Sequence, residues 1–492
     1  MPDLAYRQQK IQERRKQTPF RDFVREIASR MPLQVYRQDE IITRFPPTKR
    51  SPNLCSMEEM YGTPFEQDYL LEAHFLEQFA IFYKARPHLP LFSNPIGNEN
   101  TAFSDAVFWA KNAYLSFSIW AEAENILYSA MVYNNVRNIL NSIHVEDACD
   151  NIFQCLSVQQ SMNIFYSKHI VNCYNLWCCD NMIWCKECIN CDGLTNQSYC
   201  ISNQNYDRET YAQQKALLLK DIPELLELHN KNPIKGMIVE SPNSIWEGIT
   251  SSSNIQQGYL VTHVQNGQNL FLGTDGQNYY DGCDVGLKSS DLYGCCSVGC
   301  GSSHIYCCCS NINGSVACFY SLYLYDCSFC LGCIGLQNKH YCIFNKEYTK
   351  EERHEKVNQI FEQMEKDWTL GQFFPARMNP FYFNDTAAYL IDPSFTKEEV
   401  EAAWYLRRDE PIKVDIPTDL EQVHVRDLDQ YEGYDEDEKR HINEEILKKV
   451  IIDEQGNVRR IVNMEYVFLM KYGLPLPRKH RLERMKENFR IG

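Results

Sequence analysis

Six asparagines, Asn112, Asn125, Asn138, Asn151, Asn163 and Asn175, follow one another at intervals of 13, 13, 13, 12 and 12 residues. From Asn125 onward each opens the same short phrase: NILYS, NILNS, NIFQC, NIFYS and NLWCC. A fixed period carrying a fixed phrase marks a repeat architecture. A unit of 12–13 residues is too short for a pair of helices and fits a short strand with a turn. The chain is therefore expected to build a β-solenoid.

The step returns later. DLYGC at 291, HIYCC at 304 and ACFYS at 317 are 13 apart, FCLGC at 329 follows after 12, and HYCIF at 340 after 11. At an offset of 142 residues, CKECINCDGLTNQSYCISNQNYDRE (185–209) falls on CSFCLGCIGLQNKHYCIFNKEYTKE (327–351). Cys185, Cys188, Cys191 and Cys200 match Cys327, Cys330, Cys333 and Cys342, and Gly193, Asn196 and Tyr199 match Gly335, Asn338 and Tyr341. Every cysteine of the segment is in register, which points to an internal duplication.

Stacked units turn like residues into ladders. The second phrase position holds Ala113, Ile126, Ile139, Ile152, Ile164 and Leu176; the third holds Tyr114, Leu127, Leu140, Phe153, Phe165 and Trp177. The fifth holds Ser116, Ser129, Ser142, Cys155, Ser167, Cys179 and Cys191. Adjacent strand residues face opposite ways, and positions two and three are both apolar, so both faces of this sheet should be covered. Either one repeat is a tight coil under an outer layer, or two repeats make one larger coil.

The expected fold class is mostly β with helical caps: two tandem β-solenoid units of 12–13-residue repeats, plus α-helical N- and C-terminal segments. The expected boundaries are a basic arm and N-terminal helix over 1–60, a first solenoid over 61–206, a helical cap over 207–240, a second solenoid over 241–348, a helical cap and aromatic loop over 349–395, and an α-rich C-terminal segment over 396–492. Thr18 and Pro19 should start a helix with Phe20, Phe23, Val24, Ile27 and Met31 on one face. The preceding Arg7, Lys10, Arg14, Arg15 and Lys16 read as a basic arm, either solvated or in contact with nucleic acid or an acidic partner. Asp207 and Asp221 should cap two helices, and Thr349 with Glu352 forms a capping box; Thr396 opens another helix.

The formal charge of −16 argues against a general phosphate-binding surface. The sequence holds no apolar run of membrane-spanning length, about 18 residues or more, so no membrane is expected as a partner. The opening MPDLAYRQQKIQERRKQ lacks the apolar core of a secretion signal, which makes the cytoplasm the expected location. Of 22 cysteines, 21 lie in two blocks, 149–200 and 283–342. In a reducing compartment these read as buried thiols or metal ligands rather than disulfides.

CLGCIGLQNKHYCIFNKEYTKEE, LGQFFPARMNPFYFNDTAA and MEYVFLMKYGLPLPRKHRLERM resemble a cysteine-rich duplicated repeat family of candidate-phyla-radiation bacteria, over roughly residues 60–490. The resemblance implies the duplicated architecture and no established activity. Family members often end in zinc-ribbon modules with paired CxxC motifs. Here IIDEQGN (451–457) and Arg478, Lys479, His480 and Arg481 stand where those cysteines would fall, and no cysteine follows Cys342.

Chemistry-bearing motifs are few. CxxCxxC with a fourth cysteine nine residues on gives Cys185, Cys188, Cys191, Cys200 and Cys327, Cys330, Cys333, Cys342. Four thiolates can hold zinc tetrahedrally or an iron–sulfur cluster; zinc is the candidate cofactor, and plain packing of a narrow interior is the competing expectation. His144, His169, His263, His304 and His340 are scattered, and no P-loop, GxSxG, HExxH or dinucleotide fingerprint is present. No catalytic residue and no resident cofactor are expected. Arg478, Lys479, Arg481, Arg484, Lys486 and Arg490 make a basic tail that could meet nucleic acid or the chain's own acidic 427–438 stretch. Three readings follow: a non-catalytic scaffold for a protein partner, a nucleic-acid- or ribosome-associated protein, and a β-helix enzyme acting on polysaccharide.

Overall fold

The structure is a computed structural model. It describes residues 2–62, 65–93, 97–231, 254–256, 260–261, 265–273, 277–283, 290, 292–295, 303–306, 312–410, 420–436 and 439–488. The chain is a β-solenoid with helices towards both termini. It divides into two compact units, Met1–Phe92 with Ile238–Arg407, and Ser93–Met237 with Arg408–Gly492.

In the second of these units each repeat is one coil bearing two four-residue strands. One column of strands comprises Arg137–Leu140, Asp150–Phe153, Met162–Phe165, Tyr174–Trp177, Lys186–Ile189 and Ser198–Ile201. The other comprises Ala130–Tyr133, Ile143–Glu146, Leu156–Gln159, Lys168–Val171 and Asp180–Ile183. The long strand Phe117–Leu127 contributes to both columns and pairs in parallel with the strand Asp105–Tyr114 of the preceding coil. Pairing along each column is parallel, and Ile126, Ile139, Ile152, Ile164 and Leu176 sit in register as the phrase predicts. The tight-coil alternative is thus the observed one.

The coil turns through a device the repeat phrase does not announce. Backbone φ is positive at every third residue: Asn151 (+58°), Gln154 (+53°), Ser157 (+56°), Gln160 (+47°) and Asn163 (+57°) span one circuit. The residue after each of these points inward, giving Ile152, Cys155, Val158, Ser161 and Ile164 as successive buried positions. Asparagine tolerates the left-handed region better than other residues because its short polar side chain bonds locally, which accounts for its recurrence.

The same device accounts for the two step lengths. Where the asparagine step is 13, two consecutive residues at one corner have positive φ: Ala121 and Glu122, Asn134 and Asn135, Asp147 and Ala148. Where it is 12, one residue does: Gln160, Asn172 and Trp184. The additional residue is absorbed at a single corner, and the strands stay in register.

The corners also explain the serines and cysteines. Ser142 Oγ donates to Leu140 O (2.9 Å) and accepts from the Cys155 N–H of the next coil (3.1 Å). Cys155 Sγ then donates to Phe153 O (3.2 Å) and accepts from Ser167 N–H (3.4 Å), and Ser167 Oγ accepts from Cys179 N–H (3.0 Å). A corner N–H turned out of the ladder must find an acceptor. Only a small side chain with both a donor and a lone pair fits, and serine and cysteine both qualify.

Position three lies on the outside of the coil under an apolar layer from the C-terminal segment. Phe165 stacks on Trp177 (centroids 4.1 Å) and meets Tyr472 at 5.0 Å, while Phe153 stacks on Phe468 at 5.9 Å. Phe468 and Tyr472 belong to the helix Asn463–Tyr472.

The other unit repeats the plan. Leu322–Tyr325 and Ile334–Gln337 pair in parallel, and Tyr280, Tyr293, Tyr306 and Phe319 form an outer stack with centroids 5.1, 4.5 and 5.0 Å apart. The segment expected as a basic arm, solvated or on a partner, is the helix Pro2–Arg15. It buries Ile11, and Gln8 donates to Tyr293 Oη (3.2 Å). Arg14 donates to Trp368 O (2.7 Å), Arg15 pairs with buried Asp281, and Lys16 lies over the Tyr280 ring at 4.6 Å. Amphipathic docking against the aromatic stack outweighs solvation of the cations, whose charges face partners. The next helix runs Phe20–Glu26 with Pro19 at its N-cap position, so Thr18 does not cap it. The caps expected at Asp207, Asp221, Thr349 and Thr396 are all present.

Candidate functional site

All described cysteines are free thiols, and all but Cys55 are buried. The CxxCxxC spacing is the three-residue inward period of the coil: Cys185 and Cys191 are corner residues and Cys188 lies on the strand between them, in register with Cys200. Cys327, Cys330, Cys333 and Cys342 repeat this in the other unit. Burial pushes the Cys149 and Cys155 thiols up to about 12. Hydrogen bonds from Cys179 and Cys188 hold the Cys191 thiol below its ordinary value. Among the described residues no group of three or more His, Cys, Asp or Glu side chains is placed so that it could hold a metal ion. The CCC run at 307–309 lies outside the described residues.

On the solenoid whose strands run from Asp105 to Ile201 the repeated asparagines form a directional amide ladder. Asn100 donates to Asn112 (2.9 Å), Asn112 to Asn125 (3.0 Å), Asn125 to Asn138 (3.0 Å) and Asn138 to Asn151 (3.3 Å). Asn151 then donates to Asn163 (3.0 Å) and Asn163 to Asn175 (2.7 Å). Beside this ladder runs an exposed edge, the column Glu124, Arg137, Asp150, Met162, Tyr174 and Lys186, on which Met162 (39% exposed) and Tyr174 (42%) are accessible; Trp184 (59%) is exposed at the corner after the strand Asp180–Ile183. Arg137 and Glu124 pair at 4.0 Å along the same edge.

A polar group on the opposite column escaped sequence reasoning. Ser157 Oγ lies 3.3 Å from His144 Nδ1, and His144 Nε2 lies 3.6 Å from Glu146 Oε1. The types are those of a nucleophile, a base and an orienting carboxylate. The second separation is longer than a hydrogen bond, and Glu146 Oε1 is already bonded by Gln159. His144 and Ser157 occupy successive left-handed positions of one ladder, so their meeting follows from the stack.

The basic tail is largely engaged within its own unit. Arg478 pairs with Asp429 (2.5 Å) and Glu432 (3.0 Å) of the acidic stretch. Lys479 pairs with Glu487, and Lys486 lies 4.0 Å from Glu483. Arg481 is buried over the Phe117 ring, and Arg484 is buried against Glu465 (3.4 Å) and the Tyr128 ring. Arg490 lies outside the described residues.

A cleft of about 920 Å³ in the other unit is lined by Arg15, Arg21, Arg25, Glu26, Phe373 and Tyr405, among others. Three of its cations are paired with carboxylates, Arg15 with Asp281, Arg21 with Asp392 and Glu399, and Arg25 with Asp22, while Arg14 donates to the Trp368 and Leu370 carbonyls. Among the described residues no helix is long and apolar enough to cross a membrane.

Fold and surface together define a duplicated, thiol-lined β-solenoid protein. No family model, curated protein or solved structure matches the chain.

Proposed function

We propose that the protein is a non-catalytic scaffold that holds a protein partner along the exposed edge of the solenoid strands between Asp105 and Ile201. The observation that carries this reading is the exposure of Met162 and Tyr174, neighbours in one column, and of Trp184 at the corner after the strand Asp180–Ile183, on a coil stiffened by the amide ladder. Repeat solenoids use long, rigid faces of this kind for binding, and aromatic residues concentrate binding energy. The nucleic-acid reading has less support, because the described cations of the tail have partners inside the chain or are buried. The polysaccharide-enzyme reading has only the loosely arranged Ser157, His144 and Glu146 behind it.

The test compares wild type with a Met162→Ser, Tyr174→Ser, Trp184→Ser variant in cross-linking from native extract. The reading expects a protein captured at fixed stoichiometry by wild type and lost from an equally stable variant. Capture unchanged in the variant overturns it, as does RNA retained by wild type at about 50 mM salt with a steep salt dependence.

A further inference from the structure

In the unit Met1–Phe92 with Ile238–Arg407 a ladder of rings is missing one rung. Ser303, Val316, Ser328 and His340 sit in register on successive coils. The residues that follow them, His304, Ala317, Phe329 and Tyr341, therefore share one ladder, and all four have positive φ, +53°, +53°, +57° and +57°. Phe329 and Tyr341 stack with centroids 5.3 Å apart and 9° between their planes. Ala317 has no ring to offer at its level. At the 142-residue offset it falls on Asn175, which accepts from Asn163 at 2.7 Å, so the first copy fills this level with an amide.

A pocket of about 260 Å³ opens beside Ala317. Its lining includes Tyr306 and Phe319, whose rings stack at 5.0 Å, and Phe361 of the helix Lys350–Lys366, which meets Phe319 edge-on at 5.7 Å. Gln8 and Ile11 come from the helix Pro2–Arg15, and His304 stands exposed at the rim. The two helices are clasped to each other, Tyr6 donating to Glu365 (3.3 Å) and Arg7 to Asn358 (3.2 Å). The pocket is thus held open by rigid elements and needs no rearrangement to form.

The lining selects a chemistry. No Lys, Arg, Asp or Glu is among its described residues, so a charged ligand would shed its hydration without meeting a counter-charge. Ring faces and edges favour a flat aromatic guest. An engineered apolar cavity of about 150 Å³ takes up benzene, and the larger space here admits two fused rings. Gln8 Nε2 donates to Tyr293 Oη at 3.2 Å, which leaves the Gln8 carbonyl oxygen as an acceptor for a ring N–H.

We propose that the pocket beside Ala317 binds a free, neutral, flat aromatic molecule of the indole class, whose ring takes the missing rung and whose N–H donates to Gln8 Oε1. A ring at that level lies one strand step, about 4.8 Å, from the coil that carries His304. That step matches the 4.5–5.1 Å at which the neighbouring rings Tyr280, Tyr293, Tyr306 and Phe319 stack. The assignment is independent of the scaffold reading, which concerns the other unit.

Ligand-observed NMR titration of the full-length chain tests it, with indole, 1-methylindole and N-acetyltryptophanamide as probes. Wild type should bind one indole with a Kd below about 1 mM, within reach of so small a ligand. 1-Methylindole, which lacks the donor, should bind at least about fivefold more weakly. Ala317→Phe supplies the absent ring at a φ that Phe329 already adopts; it should fold and lose at least about tenfold in indole affinity. Ala317→Leu fills the gap with less bulk and reads the same loss if the ring strains the coil. Gln8→Leu should bind indole and 1-methylindole equally. No indole bound by wild type at about 1 mM, equal affinity of wild type for indole and 1-methylindole, or unchanged indole binding in a folded Ala317 variant each overturns the proposal. Tighter binding of N-acetyltryptophanamide than of indole would make the guest a partner's side chain and overturn the assignment to a free molecule.

Discussion

The side-chain amide of Asn175 donates to Glu187 Oε1 at 2.7 Å, and the other carboxylate oxygen of Glu187 takes Lys215 Nζ at 2.7 Å. Every amide before Asn175 donates in the same direction, so the ladder needs an acceptor with no donor of its own at its end. Glu187 stands at the asparagine position of its coil and supplies one, and the helix Arg208–Leu218 closes it with a cation.

Asn151 is the most enclosed step of that ladder that also carries a positive φ. Asn151→Ala removes a hydrogen bond on each side and forces a left-handed alanine, for a cost of about 2–3 kcal/mol. Asn151→Gly loses the bonds but relieves the backbone, and should cost about 1 kcal/mol less. Urea denaturation of both variants checks the order; glycine proving the worse substitution would mean that the left-handed corner is misassigned.

The corner role of Cys155 makes serine its natural replacement. Cys155→Ser should change stability by less than about 1 kcal/mol, whereas Cys155→Ala strands the Ser167 N–H and should cost about 1–3 kcal/mol. Equal stability of the two variants in guanidinium unfolding would remove the acceptor from the account of this position.

Phe165 is 1% exposed between Trp177 and Tyr472. Phe165→Ala should destabilise by about 3–5 kcal/mol, in the range of large-to-alanine changes in packed interiors. A loss below about 1 kcal/mol on chemical denaturation would place this ladder outside the C-terminal layer.

Acid should weaken the unit of residues 93–237 through two histidines. Burial, with Lys168 adding to it, lowers both His169 and His229 to about 4. In the unfolded chain a histidine titrates near 6.5, so between about pH 4 and 6.5 the unfolded state binds more protons. Stability is therefore full above about pH 6.5 and falls as pH drops towards 4, by up to about 3 kcal/mol per histidine. Urea midpoints from pH 7.5 to 4.5 check this, and the decline should be smaller in His169→Asn. A midpoint flat across that range would mean that these imidazoles are solvated.

Local signals carried much of the fold. The period, the Ile126 to Ile164 ladder and the caps at Asp207, Thr349 and Thr396 depend on residues near one another in the chain, and each is where the sequence places it. Less visible was the inward step of three. Strand alternation predicts a period of two, and only the φ values of residues such as Gln154 and Ser157 reveal the different geometry. Cys185, Cys188 and Cys191 follow one another at this inward step of three. The docking of Pro2–Arg15 and the placing of Arg484 against Glu465 are long-range contacts that no local pattern encodes.

The doubled left-handed corner at Asn134–Asn135 and Asp147–Ala148 acts as an expansion joint. A coil can lose or gain one residue there while every inward side chain keeps its level, so length variation is confined to a rim position that the bore never senses. A gene built by copying such coils can drift in length by single codons at that joint without scrambling the stack, which is how repeats of 12 and 13 coexist in one uninterrupted sheet.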